Sequence, residues 1–134
     1  MLYKNFVLNK SGIRFNFQEM KKMNKIEKRQ YQNENRRELI NNSDFIMKIS
    51  ELLTKKVKPT STIRKIHSSY KIKHIIERSL LTFGIDETYV SNGELIIAAI
   101  IAGFKFSPCN PYEGLNVYFN MQGKSLMSLP GYRP

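Results

Sequence analysis

Residues 91–103 read SNGELIIAAIIAG, and no other stretch constrains the fold as strongly. Ser91 followed three residues later by Glu94 is the S-x-x-E capping box. The Ser91 hydroxyl accepts from the Glu94 N–H, and the Glu94 carboxylate reaches back to the Ser91 N–H. Val90 and Leu95 hold the hydrophobic staple positions on either side. Gly103 stands where a left-handed residue ends a helix. Between Ser91 and Ala102 no polar face remains after the first turn, so this helix must be buried on most sides, Ile97 and Ile100 included. It is far too short to cross a bilayer, which needs about 20 apolar residues.

Two further helices fit around it. Phe45, Ile46, Ile49, Leu52 and Leu53 form one helical stripe, with Ser43 as cap and Pro59 as stop. Lys55, Lys56 and Lys58 crowd the end of that helix, where cations favour its dipole. The next helix starts near Ser68 or Ser69. Ile72, Ile75, Ile76, Leu80 and Phe83 are its buried stripe, and Gly84 ends it. Lys71, His74 and Arg78 fall on another face, joined by Lys73 at its edge.

After Gly103 the period changes to two. Phe104 and Phe106 flank Lys105, and Val117, Phe119 and Met121 alternate with Asn116, Tyr118 and Asn120. This predicts a hairpin across a loop containing Pro108, Pro111 and Gly114. Near the start, Ile13, Phe15 and Phe17 alternate with Arg14 and Asn16 and can pair with residues 3–8 across a turn-rich loop. Two strands alone are marginal in water. Met20 and Met23 are alternative starts, which leaves open whether this hairpin is needed.

The fold class that follows is α+β: a small helical core around the helix of residues 91–102, closed by a C-terminal β-hairpin, with a basic N-terminal arm. Residues 1–40 are expected to be the hairpin and arm, 41–122 the globular domain, and 123–134 a loose tail that Leu126, Met127 and Leu129 could dock. Helix, helix, helix, hairpin is also the order of a winged helix. A recognition helix presents polar side chains to base edges. The third helix here offers only Asn92 and Glu94, so it is not expected to read sequence.

Charge points to the partner. The 134 residues carry a formal net charge of +11. Residues 1–75 hold 18 of the 22 Lys and Arg and 6 of the 11 Asp and Glu, a net +12, which leaves −1 for residues 76–134. That balance suits a polyanion. The candidate phosphate contacts are Lys21, Lys22, Lys25, Lys28, Arg29, Arg36 and Arg37 on the arm, with Lys71, Lys73, His74 and Arg78 as a second patch. Asn116, Tyr118 and Asn120 share one strand face and could hydrogen-bond a base or a partner backbone.

Catalytic signals are weak. One cysteine, Cys109, excludes an internal disulfide and a multi-cysteine zinc site, and His67 and His74 are the only histidines, so no metal and no cofactor is expected. Cys109 has no base near it in sequence. No Walker, Rossmann or nucleophile-elbow motif occurs. A small hydrolase using His74 with Glu77 or Asp86 is the third reading. The start, MLYKNFVLNK, lacks the apolar core of a secretory signal, which makes a cytoplasmic location the expectation.

Ser69-Tyr70, Lys73-His74, Tyr89-Val90, Asn92-Gly93, Ala98-Ala99, Gly103-Phe104 and residues 116–120 together form a pattern. It resembles that of small uncharacterised proteins of phages and plasmids. The resemblance spans residues 69–120, carries no activity, and implies a mobile-element setting. The expected function is therefore a non-enzymatic nucleic-acid-binding accessory protein of a mobile genetic element. The alternative is a protein-interaction module that inhibits or adapts a larger host protein, such as a defence nuclease. DNA versus RNA, and the oligomeric state, are left open.

Overall fold

The computed structural model describes residues 7–9, 12–14, 24–27, 42–110 and 116–134. Its elements, in chain order, are β1 (Val7–Asn9), β2 (Gly12–Arg14), α1 (Ser43–Lys56), α2 (Ser69–Ser79), a 3-10 turn (Leu81–Phe83), α3 (Asn92–Ile101), β3 (Phe106–Pro108), β4 (Val117–Phe119) and α4 (Gly123–Met127). This is a small α+β fold in which α1, α2 and both strands of the N-terminal hairpin lie against α3.

The capping box is formed as the sequence requires. Glu94 N donates to Ser91 Oγ at 3.1 Å, and Ser91 N donates to Glu94 Oε1 at 3.0 Å. Val90 and Leu95 are fully buried beside it. Gly103 has φ +94°, which an L side chain rarely adopts, and its N–H satisfies the Ile100 carbonyl at 3.0 Å.

The burial of α3 is less complete than its composition predicts. Leu95, Ile96, Ala98 and Ala99 have no exposure, whereas Ile97 and Ile100 are only half-buried and Ile101 is 48% exposed. These three positions stand at i, i+3 and i+4, one side of the helix. The expectation that Ile97 and Ile100 lie in the core is corrected: Leu95, Ile96, Ala98 and Ala99 do, and Ile97 and Ile100 pack against them only in part. β1 and β2 pair antiparallel, Leu8 opposite Ile13 and Asn9 opposite Gly12. They are part of the cover over α3, which argues against the hairpin's being dispensable.

Helix α1 is capped by Asn42, not by Ser43. The Asn42 side chain makes no cap bond of its own. Its amide instead donates to Glu94 Oε2, so one buried carboxylate ties the start of α1 to the start of α3. Phe45, Ile46, Ile49, Leu52 and Leu53 are all buried. In α2, Ser68 Oγ accepts from Lys71 N, and Ile72, Ile75 and Ile76 fill the core. The helix tightens into the 3-10 turn before Gly84 stops it with φ +76°.

β3 and β4 pair antiparallel with Phe106 opposite Phe119 and Pro108 opposite Val117. The far edge of β4 is occupied as well. The connection between α1 and α2 runs along it, bridging Pro59 to Met121 and Ser68 to Tyr118. Thr60 N donates to Asn120 O at 2.8 Å, and Arg64 N to Phe119 O at 3.0 Å. A stretch without clear periodicity thus serves as an irregular third strand.

Residues 123–134 are packed rather than loose. Leu126 and Leu129 are buried, whereas Met127 is exposed. Gly131 lies in a notch on α2: its N–H donates to Ser79 Oγ at 2.9 Å, and its carbonyl accepts from Arg78 Nε at 2.7 Å. A Cβ at position 131 would stand 2.2 Å from the Ile75 carbonyl oxygen and 2.7 Å from Arg78 Cβ. Backbone cannot yield as a flexible side-chain tip does. Gly131→Ala is therefore expected to lower stability by about 1–3 kcal/mol, as overpacking does. In limited proteolysis the variant's C-terminal segment should be trimmed well before that of the parent. Equal cutting would show that the notch is not needed.

Candidate nucleic-acid interface

Between Glu51 and Glu77 the chain has no acidic residue, yet it carries Lys55, Lys56, Lys58, Arg64, Lys65, Lys71 and Lys73. The structure turns this run into surface. The first five are exposed, Lys71 is partly so, and only Lys73 is buried. Lys55 and Lys56 stand in the last turn of α1. Arg64 and Lys65 stand in the connection held to β4, so fixed backbone carries these cations. Sequence reasoning gave Lys55, Lys56 and Lys58 only the role of satisfying a helix end. It passed over Arg64 and Lys65. The length of chain without a carboxylate was the signal that could have found them.

The α2 patch is placed differently from its expectation. Lys73 is a correction: it is 6% exposed and unavailable to a phosphate. Its ammonium lies 3.0 Å from Glu77 Oε1, 4.6 Å from the centre of the Tyr89 ring and 5.7 Å from that of Tyr70. The rings of two different segments cover the ammonium while the stem packs beneath. On an isolated helix, Lys four residues before Glu is the weaker order of such a pair. Here Tyr89 supports it from outside the helix. Glu77 Oε2 also accepts from Val90 N at 3.2 Å, which joins α2 to the entrance of α3.

Lys71, His74 and Arg78 do reach the surface side of α2. His74 Nδ1 is 3.1 Å from Glu77 Oε1, and its ring meets Tyr70 edge-on at 4.5 Å. The histidine and carboxylate of the hydrolase reading therefore touch. Glu77 Oε1 is shared with the Lys73 ammonium, and among the described residues no hydroxyl or thiol is hydrogen-bonded to His74. Asp86 is exposed in the link before α3.

Beside this face, Lys71 Nζ lies over the Tyr132 ring at 5.7 Å and within 3.5 Å of the Arg133 carbonyl. The His67 ring stands edge-on to Tyr132 at 6.2 Å. Burial holds His67 below its ordinary pKa, and the Lys71 ammonium adds to the effect. Arg64 and His67 line one shallow hollow with Gly123 and Leu126. Cations from the α1–α2 connection and from α2 thus converge on the C-terminal segment.

Of the arm residues, only Lys25 is described. It is exposed on a helical turn whose start is capped by Asn24, which accepts from Glu27 N at 2.9 Å. Lys21, Lys22, Lys28, Arg29, Arg36 and Arg37 lie outside the described residues.

The polar strand face has been put to internal use. Asn116 Oδ1 accepts from Asn92 Nδ2 at 2.9 Å and from Ser69 Oγ at 3.4 Å. Asn120 is buried; its Oδ1 accepts from Lys105 N, and its amide donates to the Thr60 carbonyl at 2.9 Å. These asparagines brace the hairpin and have little left for a base. Burial pushes the Cys109 thiol up, against a smaller opposing effect of its hydrogen bond to Tyr118. That direction is the reverse of what activates a nucleophile. Among the described residues no three His, Cys, Asp or Glu side chains group as metal ligands, and no helix is long and apolar enough to cross a membrane. No family model, curated protein or solved structure matches the chain.

Proposed function

We propose that the protein is a non-enzymatic nucleic-acid-binding accessory protein that works in the cytoplasm. The mobile-element setting is carried by the resemblance of residues 69–120 alone. The observation that supports binding is the acid-free run between Glu51 and Glu77, whose cations other than Lys73 all reach the surface. Phosphate contacts of this kind give affinity and salt dependence but little sequence discrimination. The third helix agrees with that, since Asn92 and Glu94, its polar residues, are both buried.

Fluorescence anisotropy across a salt series tests the reading. If about six phosphates of a duplex are engaged, log K should fall with log salt at a slope of roughly −5. Replacing Lys55, Lys56, Lys58, Arg64 and Lys65 by Gln should weaken binding and flatten the slope. The same exchange at Lys21, Lys22, Lys25, Lys28, Arg29, Arg36 and Arg37 measures the arm. Substitution is preferable to deletion because β1 and β2 cover α3. No binding of any oligonucleotide at low salt overturns the proposal.

The second reading, a module that inhibits or adapts a nucleic-acid-processing protein of the host, draws support from exposed apolar side chains. Leu81 is 79% exposed, and Ile66 and Met127 are also open. Ile66 stands beside Arg64 and Lys65, so a partner's nucleic-acid channel could take both kinds of side chain.

A further inference from the structure

We infer that the outer face of α2 is a stacking platform for unpaired bases, so the ligand is single-stranded nucleic acid. This rests on the nucleic-acid reading above and narrows it.

Tyr70 is 54% exposed and Tyr89 61% exposed, although both are large rings beside the core. They come from different segments and flank one ammonium, that of Lys73. The His74 ring stands edge-on to Tyr70, at an interplanar angle of 86°. Each ring therefore has the Lys73 ammonium to rest against and is still more than half exposed. Holding it there in advance spares a ligand the cost of ordering it.

Cations frame the two rings. Tyr70, His74 and Arg78 stand at i, i+4 and i+8 on one ridge of α2, with Lys71 beside them. Arg78 Nε is anchored to the Gly131 carbonyl at 2.7 Å. Among the described residues nothing pairs its two terminal nitrogens, which leaves a fixed fork for a phosphate. Asp86 and Glu87 are exposed just before Tyr89 and disfavour a phosphate there, so the backbone path lies on the Lys71 and Arg78 side. Exposed rings bordered by cations are what a strand with splayed bases uses, and such stacking tolerates any sequence. A duplex keeps the faces of its bases stacked inside and gains little from an open tyrosine.

The experiment compares oligothymidine, oligouridine and a duplex by anisotropy, using the full chain. Single strands should bind tighter than the duplex. Tyr70→Leu and Tyr89→Leu keep an apolar cover on Lys73 and should each weaken single-strand binding by roughly 5- to 100-fold. Tyr70→Phe and Tyr89→Phe should restore it, and none of the four should change duplex binding or the salt slope. Arg78→Gln should instead flatten the single-strand slope by about 0.7. Preference for oligouridine or for oligothymidine tells RNA from DNA, and either supports the platform. Duplex binding as tight as single-strand binding, or leucine variants that bind like the parent, overturns this inference while leaving the broader reading intact. Failure of every oligonucleotide to bind overturns both.

Discussion

Ile96→Asp is expected to abolish folding. Ile96 has no exposure and sits in the middle of α3, the helix against which α1, α2 and the N-terminal hairpin lie. A carboxylate there must either stay ionised without a partner or be protonated at a cost, and its isoleucine contacts are lost as well. The penalty should exceed about 4 kcal/mol, a large share of the roughly 5–15 kcal/mol that holds a domain together. Ile101→Asp is the control. It adds the same charge to the same helix, but at a position 48% exposed, so its effect should stay within about 1 kcal/mol. Far-UV circular dichroism melts separate the two. A cooperative melt of Ile96→Asp near that of the parent would mean that α3 is not the centre of the core.

Glu77→Ala should have the next largest effect. The carboxylate accepts from Lys73 Nζ and Val90 N and lies 3.1 Å from His74 Nδ1. Lys73 and Glu77 side chains are 7% and 14% exposed, so water can replace little of what is removed. Losing one member of a buried pair leaves the other charged and unpaired, at about 3–5 kcal/mol. The rings of Tyr70 and Tyr89 recover only part of that for Lys73. Replacing both members, Lys73→Met with Glu77→Leu, should recover much of the loss because no orphan charge remains. Urea denaturation of the parent, Lys73→Met, Glu77→Leu and the double variant closes the cycle. A Glu77→Ala variant within 1 kcal/mol of the parent would show that the pair is solvated and the hub unimportant.

Local signals in the chain were legible. The capping box at Ser91 and Glu94 formed because both of its bonds lie within four residues. The stripe of α1, and that of α2 as far as Leu80, were equally clear, because periodicity names the buried face whatever lies opposite; Phe83, in the 3-10 turn, is only partly buried. The open side of α3 was not legible, because a run that is apolar on every side has no period to mark it. Lys73 looked like surface because its cover comes from Tyr89 as well as from Tyr70, its neighbour on α2. Asn116 and Asn120 looked free because their partners, Ser69 and Thr60, lie 47 and 60 residues away. The docking of the C-terminal segment hinges on Gly131, and a missing side chain advertises nothing until the opposing backbone is in view. The basic surface was visible as charge. Its division into surface cations and one buried cation was not.

The seam along β4 should be slow to close during folding. Its ladder bonds on one edge join it to β3, and those on the other reach back to Thr60 and Arg64. Neither α1 nor α2 needs that closure in order to coil, so both can flicker into helix early. The connection between them finds its backbone partners only when the last third of the chain returns to it. Ordering so long a loop comes before any reward from the contacts that it permits. Until that closure the cationic segment should lack its fixed backbone partners. A polyanion that meets it then would encounter the same charges before their scaffold is complete.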